Sequence, residues 1–417
     1  MNYNYHQDTW KSKGSIKSES IGTLAFFVLS LYCIVQHLFT YNFVVGNVPY
    51  IPLMAGSFLY ASYFLAISFF IRISRGSLLL NNEIAIPSLF FALAILIVLL
   101  GDEKARSYGI QDNITQLNLF YLGGSILAFI VGYSMMQVGR FKQHIIVGFV
   151  LLVINVLVNI NSTYFRLNLN IINSDQEGIY LMLGDTFGLW ALLSGAVVKK
   201  RFSRLIIVLV ALFCLTMLNT RTSLYAFIMA IPFLFRLKLG RAGILMAIIV
   251  SALIFLAPML QSQENLIGRM YGSIFSGEDS SMKSRLIQFD VGLTALAEHW
   301  FIGDYAGQVR DFGEYGAYMH NILSYWSQFG LIPFLLIISI WVRATRRAFR
   351  HINSSNNWED PDSLFFVLAL VYFGVEVFAS RSYLYFMAWL VLGMSATPRY
   401  DRPDQHSPEN IGITDET

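Results

Sequence analysis

Ser280–Trp341 reads SSMKSRLIQFDVGLTALAEHWFIGDYAGQVRDFGEYGAYMHNILSYWSQFGLIPFLLIISIW, and this stretch decides how the rest of the chain is understood. Its first part places Leu286, Ile287, Leu293, Leu296, Ala297 and Trp300 at helical spacing among charges. That pattern predicts an amphipathic helix over Lys283–Trp300, with Ser280 or Ser281 as N-cap, lying against a membrane surface or the protein's own helices. Its last part, Met319–Val342, is an apolar run long enough to cross a bilayer, with His320 and Asn321 among its first residues. Between them, FIGDYAGQVRDFGEYGAY carries acids at Asp304, Asp311 and Glu314 and is too polar to enter lipid. Aromatic rings beside carboxylates suit sugar, whose C–H faces stack and whose hydroxyls donate; an interfacial aromatic belt uses the same residues.

Working outward, the 417 residues are 55% hydrophobic and 13% charged, with a mean hydropathy of +0.55, too apolar for a soluble chain of this size. A net charge of +3 spread over short loops offers no nucleic-acid surface. Cys33 and Cys214 both lie inside apolar runs, where no disulfide framework or metal spacing can be built. At ~20 residues per crossing, about twelve spans are expected: Ile21–Phe39, read as an uncleaved first span, then Pro49–Ile71, Ile84–Leu100, Leu119–Val138, Ile145–Ile160, Ile179–Val198, Leu205–Leu218, Ser223–Phe235, Ala242–Leu260, Met319–Val342, Ser363–Phe378 and Tyr383–Ser395. With that count, 20 of the 29 Lys and Arg fall on one side, which the retention of basic residues in cytoplasmic loops makes the inside.

The expectation is therefore an all-α polytopic membrane protein of about twelve transmembrane helices, with one large external loop that contains an amphipathic helix. Residues 1–20 form a cytoplasmic tail, 21–260 the first nine spans, 261–318 the outer loop, 319–396 the last three spans and 397–417 a second cytoplasmic tail.

Few residues offer chemistry. His320, at the outward N-terminus of a helix, is favoured as neutral imidazole by the helix dipole, which suits a general base; an isolated histidine at such a place is more often a capping or interfacial one. Asn321 can cap the same helix or orient the ring. Arg221, in the tight LNTRTSLY turn, and Arg285, opening the loop helix, could match an anion through planar, bidentate donors, or simply snorkel or pair with acids. Asp185 and Glu376 fall inside apolar spans, where ionisable groups are rare, and Arg381 is near enough in sequence to neutralise Glu376 at a helix end. No metal-ligand spacing, phosphate loop or nucleophile elbow is present in the sequence.

Taken in order, Arg221 in TRTS after an apolar span, Arg285 at the start of a loop helix, HWFIGDYAG and then HNILSYWSQFGLIPF resemble the bacterial O-antigen polymerase and O-antigen ligase superfamily of membrane glycosyltransferases. The likeness covers Leu218–Trp341; His299-Trp300 stands where that family has His-Pro, and Tyr305 interrupts its Gly-x-Gly. The resemblance implies a multi-pass protein of the bacterial inner membrane with both termini cytoplasmic and a periplasmic loop. It also implies a glycan carried on undecaprenyl diphosphate, with membrane lipid and a chain-length regulator protein as partners, and no cofactor, metal or nucleic acid. Carried over, His320 would be the catalytic base and Arg221 and Arg285 the diphosphate-binding pair. Asn321, Arg310, Asp304, Tyr305, Asp311 and Tyr318 become supporting or glycan-binding candidates. The function so implied is a repeat-unit polymerase for O-antigen or capsule, with the ligase that transfers a chain to lipid A-core, a lipid-linked oligosaccharide flippase or a non-catalytic scaffold as alternatives.

Overall fold

The computed structural model describes residues 5–49, 65–67, 82–108, 114–135, 137–161, 166–167, 179–237, 241, 280–313, 318–353 and 360–397. The expected span Pro49–Ile71 lies almost wholly outside them, as do Ala242–Leu260, the outer loop through residue 279, Glu314 and the C-terminal tail.

In chain order the helices are α1 (Tyr5–Val35), continued by a π-helical turn (Gln36–Thr40) into α2 (Tyr41–Val44), then α3 (Asn82–Leu100), α4 (Asp102–Ser107), α5 (Ile114–Ser134) and α6 (Lys142–Val158). Two short strands, β1 (Ile160–Asn161) and β2 (Arg166–Leu167), pair antiparallel. There follow α7 (Ile179–Val197), α8 (Arg201–Met217), α9 (Arg221–Leu234), α10 (Ser280–Glu298) and α11 (Gly307–Phe312). The last four are α12 (Leu323–Phe329), α13 (Leu331–Asn353), α14 (Pro361–Ala379) and α15 (Ala388–Ser395).

Among the described residues, six helical stretches are long and apolar enough to cross a membrane: Ser20–Val44, Glu83–Leu100, Ile114–Ser134, Val138–Val158, Tyr180–Val197 and Pro361–Ala379. Arg221–Leu234 is apolar but shorter. Two expected spans differ in form. Met319–Val342 is not one helix, because Gly330, at φ +79°, breaks it between α12 and α13. The end of α13 is moreover too basic to be wholly apolar, with Arg343, Arg346, Arg347 and Arg350. Tyr383–Ser395 shrinks to the eight residues of α15, because the chain makes turns until Phe386.

Local chemistry explains the long helices. Asp360 caps α14 by accepting from the Ser363 N–H at 3.1 Å, and Pro361 occupies the first helical position, where no donor is needed. Arg204 is buried, and its guanidinium donates to the carbonyls of Val198 (2.7 Å) and Leu234 (3.0 Å), which satisfies the ends of two neighbouring helices at once. Helices α9 and α14 pack on each other and on α7, while α15 lies along α5. At that last seam, a Cβ on Gly132 would strike the Leu390 carbonyl and one on Gly393 the Phe129 carbonyl, so glycine lets the two backbones touch.

Running the helices from their termini places the site. The chain enters α8 beside Lys199, Lys200 and Arg201 and leaves α13 among Arg343, Arg346, Arg347 and Arg350. Arg221 starts α9 at the far end of α8, and Ser380 follows α14, so both stand at the opposite end from those basic residues.

Candidate active site at the head of the helix bundle

Three segments distant in sequence converge on Ser380. Asn219, at φ +56°, turns the chain so that α9 begins at Arg221. The next residue, Thr222, shares a hydrogen bond with the Ser380 hydroxyl at 2.8 Å. From α10, Arg285 Nη1 donates to the same hydroxyl at 3.3 Å. Amphipathic spacing explains that aim: Arg285 shares the inward face of α10 with Gly292 and Leu296, whereas Leu286, Ile287 and Leu293 remain exposed. His320 hydrogen-bonds the Ser380 backbone and lies 5.2 Å, centroid to centroid, from Tyr318.

His320 is not the start of a helix, as the sequence suggested, but sits in a bend ahead of α12, outside the six membrane-length helices. Asn321 is the reason, since its Oδ1 accepts from the Leu323 N–H at 2.9 Å and starts the helix there. Buried Gln308 holds the bend from the other side, accepting from the Met319 N–H (3.0 Å) and donating to the Gln288 carbonyl of α10 (3.2 Å). Burial, reinforced by the charges of Arg285 and then Arg381, pulls His320 down to about 4, against the opposing hydrogen bond that the ring donates to the Ser380 carbonyl. The imidazole is therefore neutral near pH 7. With one ring nitrogen donating to Ser380, the other is left as an acceptor.

A second group of candidates forms a separate clasp. Asp304 is 3% exposed; one carboxylate oxygen meets Lys104 at 2.6 Å and the other Arg310 at 3.2 Å. Arg310 also pairs with Asp311 at 2.7 Å and lies over the Tyr108 ring at 5.6 Å. The bond to Asp311 raises the guanidinium above its usual range, partial burial opposes the rise, and the charge of Asp304 adds to it. Thus Asp304, Arg310 and Asp311 spend their charges on one another and on α4. Tyr305 joins the clasp to the first cluster: Asn118 donates to its hydroxyl at 2.9 Å and accepts from the Tyr383 hydroxyl at 3.0 Å, and Tyr383 packs edge-on against Tyr318.

Main-chain bonds fix the loop to the helix start. The Asp304 N–H donates to Ser327 O at 2.7 Å, and the Leu331 N–H to Phe301 O at 3.0 Å. Gly303 and Gly330, both with positive φ, meet in this joint, and a Cβ on either would press into the other segment's backbone.

Nothing in the sequence marks Ser380 or Ser382, which are ordinary small polar residues in SRSYLY. It did suggest the pair of Arg381 with Glu376, found at 2.8 Å, but not that Asp185 of α7 completes it at 2.6 Å from Arg381. Only the tertiary fold shows that partnership. Among the described residues no three His, Cys, Asp or Glu side chains gather as metal ligands; Arg285 meets two hydroxyls at Ser380, donors that suit an anion, and Arg221 starts the helix whose next residue, Thr222, supplies one of them. Set beside models of known protein families and beside curated proteins, the sequence matches neither.

Proposed function

We propose that this protein is a metal-independent membrane glycosyltransferase of the O-antigen polymerase type. In this reading it transfers a growing O-antigen or capsule chain from undecaprenyl diphosphate to a hydroxyl of the next lipid-linked repeat, at the periplasmic face of the bacterial inner membrane. The observation that carries the reading is the meeting of Arg285, His320 and the head of α9 at Ser380. A neutral base beside fixed cations is what displacement of a diphosphate requires.

The acceptor hydroxyl gives its proton to the free His320 nitrogen as its oxygen attacks the anomeric carbon. The bond from that carbon to the diphosphate breaks, and its electron pair stays on the departing oxygen. Arg285 and Arg221 face the negative charge that builds there, with Thr222 and Ser380 as neutral donors. Base catalysis of this kind contributes ~10² to 10⁴ in rate, and holding the two glycans in place supplies much of the remainder.

Topology supports the same reading. The cluster stands at the end of the helices opposite the Lys199–Arg201 and Arg343–Arg350 groups, which the positive-inside rule assigns to the cytoplasm, both termini included. Exposed Leu286, Ile287 and Leu293 on α10, with Trp300, Phe301 and Ile302 beyond its end, suit a surface resting in the outer leaflet.

Complementation of a deletion strain tests the proposal through the surface polysaccharide on a gel. With His320→Ala, normally inserted, the ladder should collapse to a single repeat on its acceptor. A full ladder would refute the enzymatic reading, and complete loss of even one repeat would point to the ligase. Reporter fusions at Ser276 and Ser354 should read opposite compartments.

A further inference from the structure

At the end of α14 the N–H groups of Ser380 and Arg381 both donate to the Glu376 carbonyl, at 3.0 and 2.7 Å. The Arg381 side chain then folds back, with Nε 2.8 Å from Glu376 Oε2 and Nη2 2.6 Å from Asp185 Oδ1 on α7. Asp185 in turn accepts from the Ser223 hydroxyl of α9 at 2.7 Å, and the guanidinium lies over the Tyr385 ring at 5.3 Å. Asp185 and Glu376 are 3% and 0% exposed. One planar group thereby ties the last turn of α14 to α7 and, through Ser223, to α9.

Burying such a network adds little net stability, because desolvation offsets the attraction. What it supplies is direction. The residues flanking Arg381 are the ones that hold the site: Ser380 meets Thr222, Arg285 and His320, and Ser382 hydrogen-bonds Tyr318. The following N–H, of Tyr383, donates to the Ser324 hydroxyl of α12 at 2.8 Å.

We infer that Arg381, clamped between Asp185 and Glu376, is a positioning residue that fixes the Ser380–Ser382 turn and thereby the orientation of His320. The inference rests on the glycosyl-transfer reading above. Arg381 itself touches the two acids rather than substrate. Among the described residues, the charged and titratable groups around the imidazole are Arg285 from α10, Arg381 after α14 and Tyr318 from its own loop, with Tyr121 of α5 and Tyr383 behind Tyr318.

The test uses the full-length protein in proteoliposomes with an undecaprenyl-diphosphate-linked repeat as substrate. Arg381→Met alone would strand two buried carboxylates, so the informative variant is the triple Arg381→Met, Asp185→Asn, Glu376→Gln, which leaves no charge unpaired. Glu376 Oε1 has no hydrogen-bond partner among the described residues, so the added amide displaces none there. Arg381→Lys is the second variant, keeping the charge but losing the fork that spans both acids.

In whichever of these melts as the parent does, kcat should fall ~10²-fold, the cost of misplacing a reacting group by about 1 Å, with KM little changed. The acid limb of kcat/KM should rise from near 4 toward the ordinary histidine value of 6.5 as water reaches the ring. A folded triple variant or Arg381→Lys with parental kcat and an unmoved acid limb overturns the inference. His320→Ala, run alongside, separates the two failures. If it too keeps parental activity, the glycosyl-transfer reading fails; if it alone is inactive, only the positioning role of Arg381 does.

Discussion

Arg285 and His320 meet through one residue: the guanidinium donates to the Ser380 hydroxyl at 3.3 Å, while the imidazole bonds the backbone of the same serine. Anything that changes the charge on the first is felt by the second.

The sign of the pH response follows. A base works only while unprotonated, and His320 is held down to about 4 first by burial and then by Arg285. Under the proposed glycosyl transfer, the protein without bound substrate should keep kcat/KM as pH falls, losing it only near 4. A diphosphate bound beside Arg285 opposes that charge, so the acid limb of kcat should lie at higher pH than that of kcat/KM. Arg285→Gln removes the second cause and should raise the kcat/KM limb toward 6.5. Rate profiles over pH 3.5–8 (roughly the range spanning both values) check this, and an identical limb in both proteins would show that another group titrates.

The Asp304 clasp makes a prediction about stability. Asp304 is buried, but Lys104 and Arg310 are 49% and 41% exposed and can be rehydrated when it is removed. Asp304→Asn should therefore cost about 1–3 kcal/mol, the range for hydrogen bonds to a charged group. Lys104→Ala strands one oxygen of the buried Asp304 carboxylate, with Arg310 holding only the other, and should cost more, about 3 kcal/mol or above. Thermal melts of the two variants in one detergent give the order, and equal losses would contradict it.

Along the seam of α5 with α15, Gly132→Ala drives its methyl into a carbonyl that no rotamer can move. A loss of about 1–3 kcal/mol or more is expected. Gly123 sits on the same helix with nothing within 4 Å of its added Cβ, so Gly123→Ala should be neutral or gain up to about 1 kcal/mol from helix propensity. Melting temperatures moving in the same direction would count against the packing described.

The exposed apolar face of α10 can be probed with light. Trp300 is 56% exposed beside Phe301 and Ile302, and bilayers of brominated phosphatidylcholine should quench its fluorescence in a protein whose other tryptophans are replaced by phenylalanine. Ile287→Glu should weaken that quenching; full emission from the parent protein in brominated lipid would place this surface in water.

Helicity, the amphipathic character of α10 and the link between Glu376 and Arg381 were all legible, because each depends on spacings of a few residues. The breaks were not. An apolar run from Met319 to Val342 looks continuous by hydropathy, whereas Gly330 acts through a backbone angle that hydropathy does not register. The pairing of Arg310 with Asp311 lies between sequence neighbours, whereas the Lys104 partner of Asp304 comes from α4, which only folding brings near. Asp185 was marked by its burial in an apolar span, but its partner had to be seen. Ser380 carried no mark, since its importance belongs to its neighbours.

Where Gly303 meets Gly330 the contact is between peptide groups, with Asp304 bonded to Ser327 and Leu331 to Phe301 along the main chain, and the Trp326 indole and Gln328 amide add bonds to the Trp300 carbonyl and the Ala306 N–H beside it. On the loop side every group in these bonds belongs to the main chain, so the side chains of Trp300 and Phe301 take no part in them. Descendants of this chain could exchange Trp300 or Phe301 for other residues without moving the connection, while a methyl added at either glycine would pry it apart, so the two hydrogens at each of those α-carbons are the least replaceable atoms in the loop.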